Sequence, residues 1–478
     1  MLPARCREQQ IDSFVHPVAR TFQKCGATFA WRALPPGEAN LVAEPSSRSA
    51  SGSATRDPVV EPSKPRLLKL LGPGLVTGAS DDDPSGIATY SQAGAQFGYA
   101  ASWSLVLTYP LMVAIQIISA RVGRTTGHGL AGNIARCHPR WVAYAVTVPL
   151  LIANIINIGA DLGAMGDALK LLVGGSNRVY VVMFGAICIG LQVLLAYKRY
   201  VAVLKWLSLA LLTYVAALFV TKVDWAALAW SIALPKLSFD PAYLSILVAI
   251  FGTTISPYLF FWQASQEAED LKEKPGERPL IGHPEQADPA RERIQLDTAI
   301  GMAISNVIAL AIVTTTAATL NPAGLTDIQS SVDAAKALEP IAGSFAKVIF
   351  AVGILGTGIL AVPVLAGSAA YAIGETAKWP VGLSREPREA KAFYLAVSIA
   401  TAIGVALNFT EVDPIRALVW SAIVNGVVAV PIMVILMLLA ADPKIMKQFV
   451  IGPILKTLGW IATAAMTAAI IGMLVTAI

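Results

Sequence analysis

The sequence predicts an all-α, polytopic membrane protein made of two inverted five-helix halves and an eleventh helix. Three observations carry that prediction. Of 478 residues, 55% are hydrophobic and 14% charged, where a soluble domain carries about 25% charged residues. Apolar runs about 20 residues long recur along the chain, each long enough to cross a bilayer. Two of these runs are interrupted by helix-breaking residues, and the interruptions lie five helices apart. Interruptions at corresponding places in two halves are the sequence mark of an inverted repeat with a mid-membrane site. The net charge of +5 fits basic cytoplasmic loops, and nothing in its distribution points to nucleic acid. The cysteines (6, 25, 137, 188) follow no metal or disulfide spacing, and His16, His128, His138 and His283 all fall outside the apolar runs.

The elements follow in order. Residues 1–64 are rich in Ser, Pro, Ala and Arg and read as a disordered N-terminal cytoplasmic tail; a translation start further along is the other reading. Residues 65–478 form the transmembrane domain, with spans at 67–96 (broken near 81–86), 101–122, 141–172, 179–197, 201–221, 241–266 (broken near 254–258), 296–319, 341–374, 391–408, 415–440 and 456–477. The third and eighth are too long for a perpendicular crossing and must tilt or extend past the bilayer. Arg121, Arg124, Arg136, Arg140, Lys198, Arg199, Arg385 and Arg388 cluster in the loops after even-numbered spans. That bias places the N-terminus in the cytoplasm and, with eleven spans, the C-terminus outside a plasma or inner membrane. The charged stretch EAEDLKEKPGERPLIGHPEQADPARER between the sixth and seventh spans reads as a solvated loop.

The first break reads GASDDDPSG. A charge at the centre of a bilayer costs at least about 2.5–3.5 kcal/mol, so Asp81, Asp82 and Asp83 need a reason to be there. The second break reads FGTTISPYLFFWQASQE, where Pro257 removes a backbone donor and Thr253, Thr254 and Ser256 are placed to satisfy freed carbonyls. Unwound backbone at both breaks offers carbonyl oxygens, and Asp83 adds a full negative charge. A carboxylate with carbonyls is a hard oxygen site, suited to a small divalent cation.

At these residues the chain resembles the NRAMP family of divalent metal transporters, over roughly 67–440. LGPGLVTGASDDDPSGIATY keeps the family's Gly-Pro-Gly start (Gly72, Pro73, Gly74) and Asp83-Pro84, with Ser85 and Gly86 where the family has Gly and Asn. VGRTTGHGLAGNIARCHPRW keeps Thr126-Gly127, Leu130-Ala131, Arg136 and Pro139, and the third span keeps Asp161-Leu162 of an Asp-Leu-Ala-Glu element. The resemblance implies a LeuT-type inverted repeat, no catalytic residues and no cofactor. It also implies a metal site carried over as Asp83, Gly86 and Ser256, with carbonyls from Ser80 and Thr253.

The departures shape the expected selectivity. The family's asparagine is Gly86 and its soft methionine ligand is Ser256. Losing a thioether removes a preference for transition metals over oxygen-loving ions, and two smaller side chains predict a wider pocket for a partly hydrated Mg²⁺ or Mn²⁺. The family's titratable glutamate and histidine align with Ala164 and Tyr258, and its tenth-span glutamine with Ala422. These substitutions resemble the NRAMP-related magnesium transporter branch and imply Mg²⁺ or Mn²⁺ transport by alternating access without tight proton coupling. Proton-coupled Mn²⁺/Fe²⁺ symport and an organic-solute carrier on the same fold are the alternatives. Asp83 would repel the carboxylate of an amino-acid substrate.

Other residues have two readings. Asp81 and Asp82 either draw hydrated cations into a vestibule or end the first half-helix and face water. Tyr258, Gln263 and Asp161 are candidates beside the ion or its waters; Gln263 and Gln266 also fit helix packing. Asn154, Asn157 and Asn425 read as interhelical hydrogen bonds. GILGTGI in the eighth span lies in an apolar helix and reads as close helix packing, not a nucleotide loop.

Overall fold

The computed structural model describes residues 73–194, 212–273, 276–328, 331–337, 343, 346–410 and 413–476. The predicted 1–64 tail and most of the fifth predicted span, through 211, lie outside the described residues. Every regular element among the described residues is helical. The first predicted span is two helices, α1 (Pro73–Asp81) and α2 (Pro84–Phe97). They are followed by α3 (Ser102–Thr126), α4 (Leu130–Cys137), α5 (Arg140–Val173), α6 (Asn177–Leu194), α7 (Leu212–Val220) and α8 (Trp225–Ala233). The sixth predicted span is likewise two helices, α9 (Pro241–Thr254) and α10 (Pro257–Glu273). The remainder is α11 (Ala287–Thr319), α12 (Ser331–Lys336), α13 (Ala346–Ala377), α14 (Lys391–Leu407), α15 (Pro414–Ala441), α16 (Pro443–Met446) and α17 (Pro453–Thr476).

Both predicted breaks are present and have a shared cause. Asp-Pro begins a helix at Asp83-Pro84, Asp240-Pro241, Asp413-Pro414 and Asp442-Pro443. In each pair the carboxylate accepts from backbone N–H groups of the first turn, and the proline occupies a position whose N–H would have no partner. Asp83 is the buried one; Asp240 is exposed and the other two are half-exposed.

Among the described residues, eight helices are long and apolar enough to cross a membrane. The count is lower than eleven because Pro84–Thr126 runs through as one helical stretch, α14 is short at 17 residues, and the fifth span is mostly undescribed. α5, at 34 residues, is roughly 51 Å long at 1.5 Å per residue, so it extends past the bilayer core as its sequence demands.

Packing is reciprocal between the halves. α3, second span of the first half, packs on α10, while α11, second span of the second half, packs on α1 and α2. The two long helices α5 and α13 pack on each other, and α15 packs on α5 and α9. Small residues set the closest approaches. A Cβ at Gly252 of α9 would stand 2.6 Å from the Gly426 nitrogen of α15. In the GILGTGI run, a Cβ at Gly358 would meet the Met165 sulfur at 2.5 Å and Pro84 at 3.4 Å, so this run packs α13 against α5 and the first break.

The charged stretch between the sixth and seventh spans is a solvated loop only in its middle, where Arg278 and residues 282–285 are exposed. α10 continues to Glu273 and α11 begins at Ala287, nine residues before the predicted start. Buried Glu267 pairs with Arg293 across the two helices. Arg124 of α3 donates to the Arg278 carbonyl (2.8 Å) and stands 3.5 Å from Glu277. Sequence reading counted charges there and missed that they pair with each other.

Because the atoms facing Gly252 are backbone and cannot swing away, Gly252→Val should cost at least about 1–3 kcal/mol and lower the apparent melting temperature of the detergent-purified protein. Gly190→Ala on α6, where an added Cβ meets nothing within 4 Å, should cause no loss.

Candidate metal site at the paired helix breaks

The first break consists of Asp82 and Asp83 between α1 and α2, and the second of Ile255 and Ser256 between α9 and α10. One side chain joins them. The Tyr258 hydroxyl, in the first turn of α10, donates to the Ser80 carbonyl at 2.9 Å and lies 3.4 Å from Asp83 Oδ2. Asp83 is 2% exposed and fully engaged. Its Oδ1 accepts from the Ser85 hydroxyl (2.6 Å) and the Gly86 amide (2.8 Å), and its Oδ2 from Asn157 Nδ2 on α5 (3.0 Å). Asn157 is oriented in turn by Ser421 of α15, whose hydroxyl donates to its Oδ1 at 2.6 Å. Donors from three helices, one of them steered by a fourth, thus hold one carboxylate in the interior, which is the condition for keeping a buried charge.

The other predicted residues take defined places. Ser256 is buried in the second break, with its hydroxyl donating to the carbonyls of Gly252 (2.6 Å) and Thr253 (2.8 Å). It caps the end of α9 and keeps its own oxygen lone pairs. The Ser80 and Thr253 carbonyls therefore each accept one hydroxyl, and each has a second lone pair. At Gly86 the space is not enlarged: a Cβ would lie 3.1 Å from Thr253 Oγ1 and 3.3 Å from both the Asp81 carbonyl and the Tyr90 ring. The wider pocket expected from losing the asparagine side chain is absent, because Thr253 and Tyr90 close over the position. Gln263 points elsewhere, donating to Thr298 of α11 at 2.9 Å, and Gln266 donates to Tyr371 at 3.2 Å. Asp161 is fully buried one turn beyond Asn157, with neither carboxylate oxygen hydrogen-bonded.

Asp81 and Asp82 do not face water. They are 0% and 2% exposed, and the Ser305 hydroxyl of α11 reaches both, at 2.5 Å from Asp81 Oδ2 and 3.2 Å from Asp82 Oδ1.

Asn154 makes the interhelical bond predicted, to the Leu365 carbonyl at 3.0 Å. Asn157 makes one too, but to Asp83, a role its sequence position did not disclose. The usable signal was its spacing: it stands four residues before Asp161, on the same face of α5. Ser85, Ser305 and Ser421 carried no signal that separates them from other serines in apolar helices.

Among the described residues, no three His, Cys, Asp or Glu side chains converge as metal ligands. The break therefore offers one carboxylate surrounded by carbonyl and hydroxyl oxygens, a low-charge, hard donor set. A separate cavity of about 360 Å³ lies among Arg136, Lys272, Glu375 and Trp379. Its Glu375 is already held by the Gly132 amide (2.8 Å) and Ser265 (3.0 Å), and Arg136, Lys272 and Lys378 share the lining.

Residues 74–476 match the family described as Natural resistance-associated macrophage protein-like, or Nramp. The chain belongs to that family. The Nramp chain is 29% identical over 319 residues to the divalent metal cation transporter MntH of Pectobacterium carotovorum, covering 64% of this chain and 72% of that one. It is 28% identical over 303 residues to MntH of Yersinia pestis, covering 61% and 69%. The fold is that of the Eremococcus coleocola manganese transporter, with a TM-score of 0.66 at 18% identity over 86% of this chain and 88% of that one. MhsT, solved with L-phenylalanine, has a TM-score of 0.55 at 13% identity over 84% and 98%. This is the LeuT-type fold that the family resemblance implies, and Nramp proteins are transporters, not enzymes.

Asn157→Ala should leave Asp83 short of one charged hydrogen bond and Ser421 without its acceptor, a loss of about 1.5–3 kcal/mol. A lowered apparent melting temperature in detergent, with Asn157→Gln recovering part of it, is the expected result.

Proposed function

We propose that this Nramp chain carries Mg²⁺ or Mn²⁺ across the cytoplasmic membrane by alternating access, with Asp83 as the anionic ligand and the N-terminus in the cytoplasm. Transport of divalent metal cations is the family-level function; the MntH relatives are named divalent metal cation transporters and the Eremococcus neighbour a manganese transporter. The observation that carries the finer reading is the donor set at the breaks. Asp83, the Ser80 and Thr253 carbonyls and the Ser256 and Tyr258 hydroxyls are all oxygen. With no thioether or imidazole at the second break, nothing favours a soft transition metal, and a hard divalent cation is suited.

The Tyr258 contacts also support a sequence of events. Tyr258 bridges Ser80 and Asp83, two of the oxygens a cation would use. A cation entering between them displaces the Tyr258 proton from that line, so the hydroxyl that joins the two breaks becomes a neutral ligand or withdraws. Binding is thereby coupled to the contact between the two half-helix pairs, as alternating access requires.

The driving force is the membrane potential. A divalent ion gains about 4.6 kcal/mol across 100 mV, from about 2.3 kcal/mol per elementary charge. That sustains an accumulation of roughly three orders of magnitude at 1.4 kcal/mol per tenfold. Ala164 and Tyr258 stand where the family resemblance implies titratable groups, which favours transport without stoichiometric proton movement. One observation favours the other reading, proton-coupled symport: Asp161, buried and without a hydrogen bond one turn from Asn157.

Asp83→Ala should abolish uptake of Mg²⁺ and Mn²⁺ into proteoliposomes. The protein should still fold, because the lost helix cap, worth about 1 kcal/mol, is offset by removal of a buried charge. Near-normal uptake by this variant rules out the proposed site.

In proteoliposomes with a clamped potential, Mn²⁺ influx should leave internal pH nearly unchanged. Acidification in step with influx, abolished by Asp161→Asn, would establish proton coupling through that residue.

A further inference from the structure

We infer that Asn157 of α5 is a ligand of the transported ion, presenting its amide oxygen by a half-turn of the side chain that Ser421 of α15 accommodates in both orientations. The inference deepens the Asp83 reading and rests on it.

The two carboxylate oxygens of Asp83 are held in different ways. Oδ1 accepts from the Gly86 amide and the Ser85 hydroxyl, both in the first turn of α2. Those donors belong to the helix start and go wherever Asp83 goes. Oδ2 accepts from Asn157 Nδ2 at 3.0 Å and stands 3.4 Å from the Tyr258 hydroxyl, so its donors come from α5 and α10. Oδ2 is therefore the oxygen that can be given up to a cation without undoing the cap of α2.

A cation on Oδ2 meets the N–H that Asn157 directs at the same atom. The positive end of an amide dipole is repelled by a divalent ion, and two responses relieve the conflict. Retreat requires α5 to shift, and α5 is packed against α13, α14 and α15. Rotation requires one torsion. The terminal torsion of asparagine is broad and two-fold, so half a turn about it exchanges Nδ2 and Oδ1 while the side chain keeps its volume. The position that offered N–H then offers a neutral, hard oxygen, a ligand type that suits Mg²⁺ or Mn²⁺.

The far side of the amide decides whether the turn can be made. Asn157 is fully buried, and an amide atom turned toward no partner would carry its desolvation cost uncompensated. Ser421 removes that cost. Its hydroxyl stands 2.6 Å from Asn157 Oδ1 and 2.7 Å from the Leu418 carbonyl, two acceptors for one proton. In one arrangement the proton serves Asn157 Oδ1. After the half-turn, Nδ2 donates to the Ser421 oxygen and the Ser421 proton serves Leu418. The amide has a partner on each side in both arrangements. Asn154, on the same helix, lacks this freedom. Its Nδ2 donates to the Leu365 carbonyl and its Oδ1 is enclosed without a hydrogen bond, so a half-turn there would set oxygen against oxygen.

The test measures Mn²⁺ and Cd²⁺ binding to the full chain in detergent, by equilibrium dialysis and metal analysis. The sign of the effect separates a ligand from a donor. Asn157→Ala should lower Mn²⁺ affinity about tenfold or more, the size typical of losing a polar group that touches or orients a metal site. A side chain that only competes with the ion for Oδ2 would instead give tighter binding on removal. Asn157→Cys should bind Cd²⁺ with the ultraviolet absorption of a Cd–thiolate bond, in excess of the wild type and its own cysteines, because a sulfur in a ligand position meets a soft ion directly. The shorter side chain is compensated by a metal–sulfur bond longer than a metal–oxygen one. Tighter or unchanged Mn²⁺ binding in Asn157→Ala would overturn the inference and leave the Asp83 reading standing. Absence of the Cd–thiolate absorption in Asn157→Cys would overturn it too, and would assign a loss in Asn157→Ala to a misplaced Asp83. Asp83→Ala, measured in parallel, should lose Mn²⁺ binding; unchanged binding in that variant would remove the Asp83 reading itself and this inference with it.

Discussion

The structure depends on keeping a carboxylate charged, or ready to be charged, where water is excluded. Burying Asp83 without partners would cost more than the fold could bear, and the surrounding architecture answers that cost. Helix α2 gives Asp83 a backbone amide and a serine hydroxyl, α5 gives an amide side chain, and α10 brings a tyrosine hydroxyl close. Asn157 is steered by Ser421, so α15 acts on the carboxylate through α5. The contacts around this one group therefore span both inverted halves. A change in what Asp83 binds is transmitted to α5, α10 and α15 at once.

The reciprocal packing makes such a change mechanically meaningful. α11 lies along α1 and α2, and α3 lies along α10, so each broken helix is supported by the opposite half. Glycine contacts bring backbones together where side chains would hold them apart, as at Gly252 with Gly426. Interfaces of this kind have few soft side chains to absorb a small shift, so motion at the breaks is passed on as movement of whole helices.

Much of this was legible in the sequence. Asp83-Pro84 and Ser256-Pro257 mark the ends of half-helices by chemistry that is local: a carboxylate cap, a missing N–H, hydroxyls for freed carbonyls. Local chemistry is what a sequence records. The packing role of GILGTGI and the interhelical bond of Asn154 were legible for the same reason. What was not legible depended on partners far along the chain. Gly86 reads as a missing side chain and hence as space, but Thr253 and Tyr90, distant in sequence, close over it. Asp81 and Asp82 read equally well as solvated, because nothing near them announces Ser305 more than 200 residues away. Glu267 and Arg293 read as loop charges until the two helices that carry them are placed side by side.

The recurrence of Asp-Pro at four helix starts bears on how such a site could originate. At Asp240, Asp413 and Asp442 the pair does nothing beyond starting a helix near the surface, as it would in any protein. At Asp83 the same two residues occur at depth. No new device is needed there: an ordinary helix start, placed inside the membrane, has leftover lone pairs free for another use. Folding constrains this position little, because the lost cap is offset by the removed charge. What holds the aspartate in place is cargo, and a lineage that stops carrying metal is free to lose it.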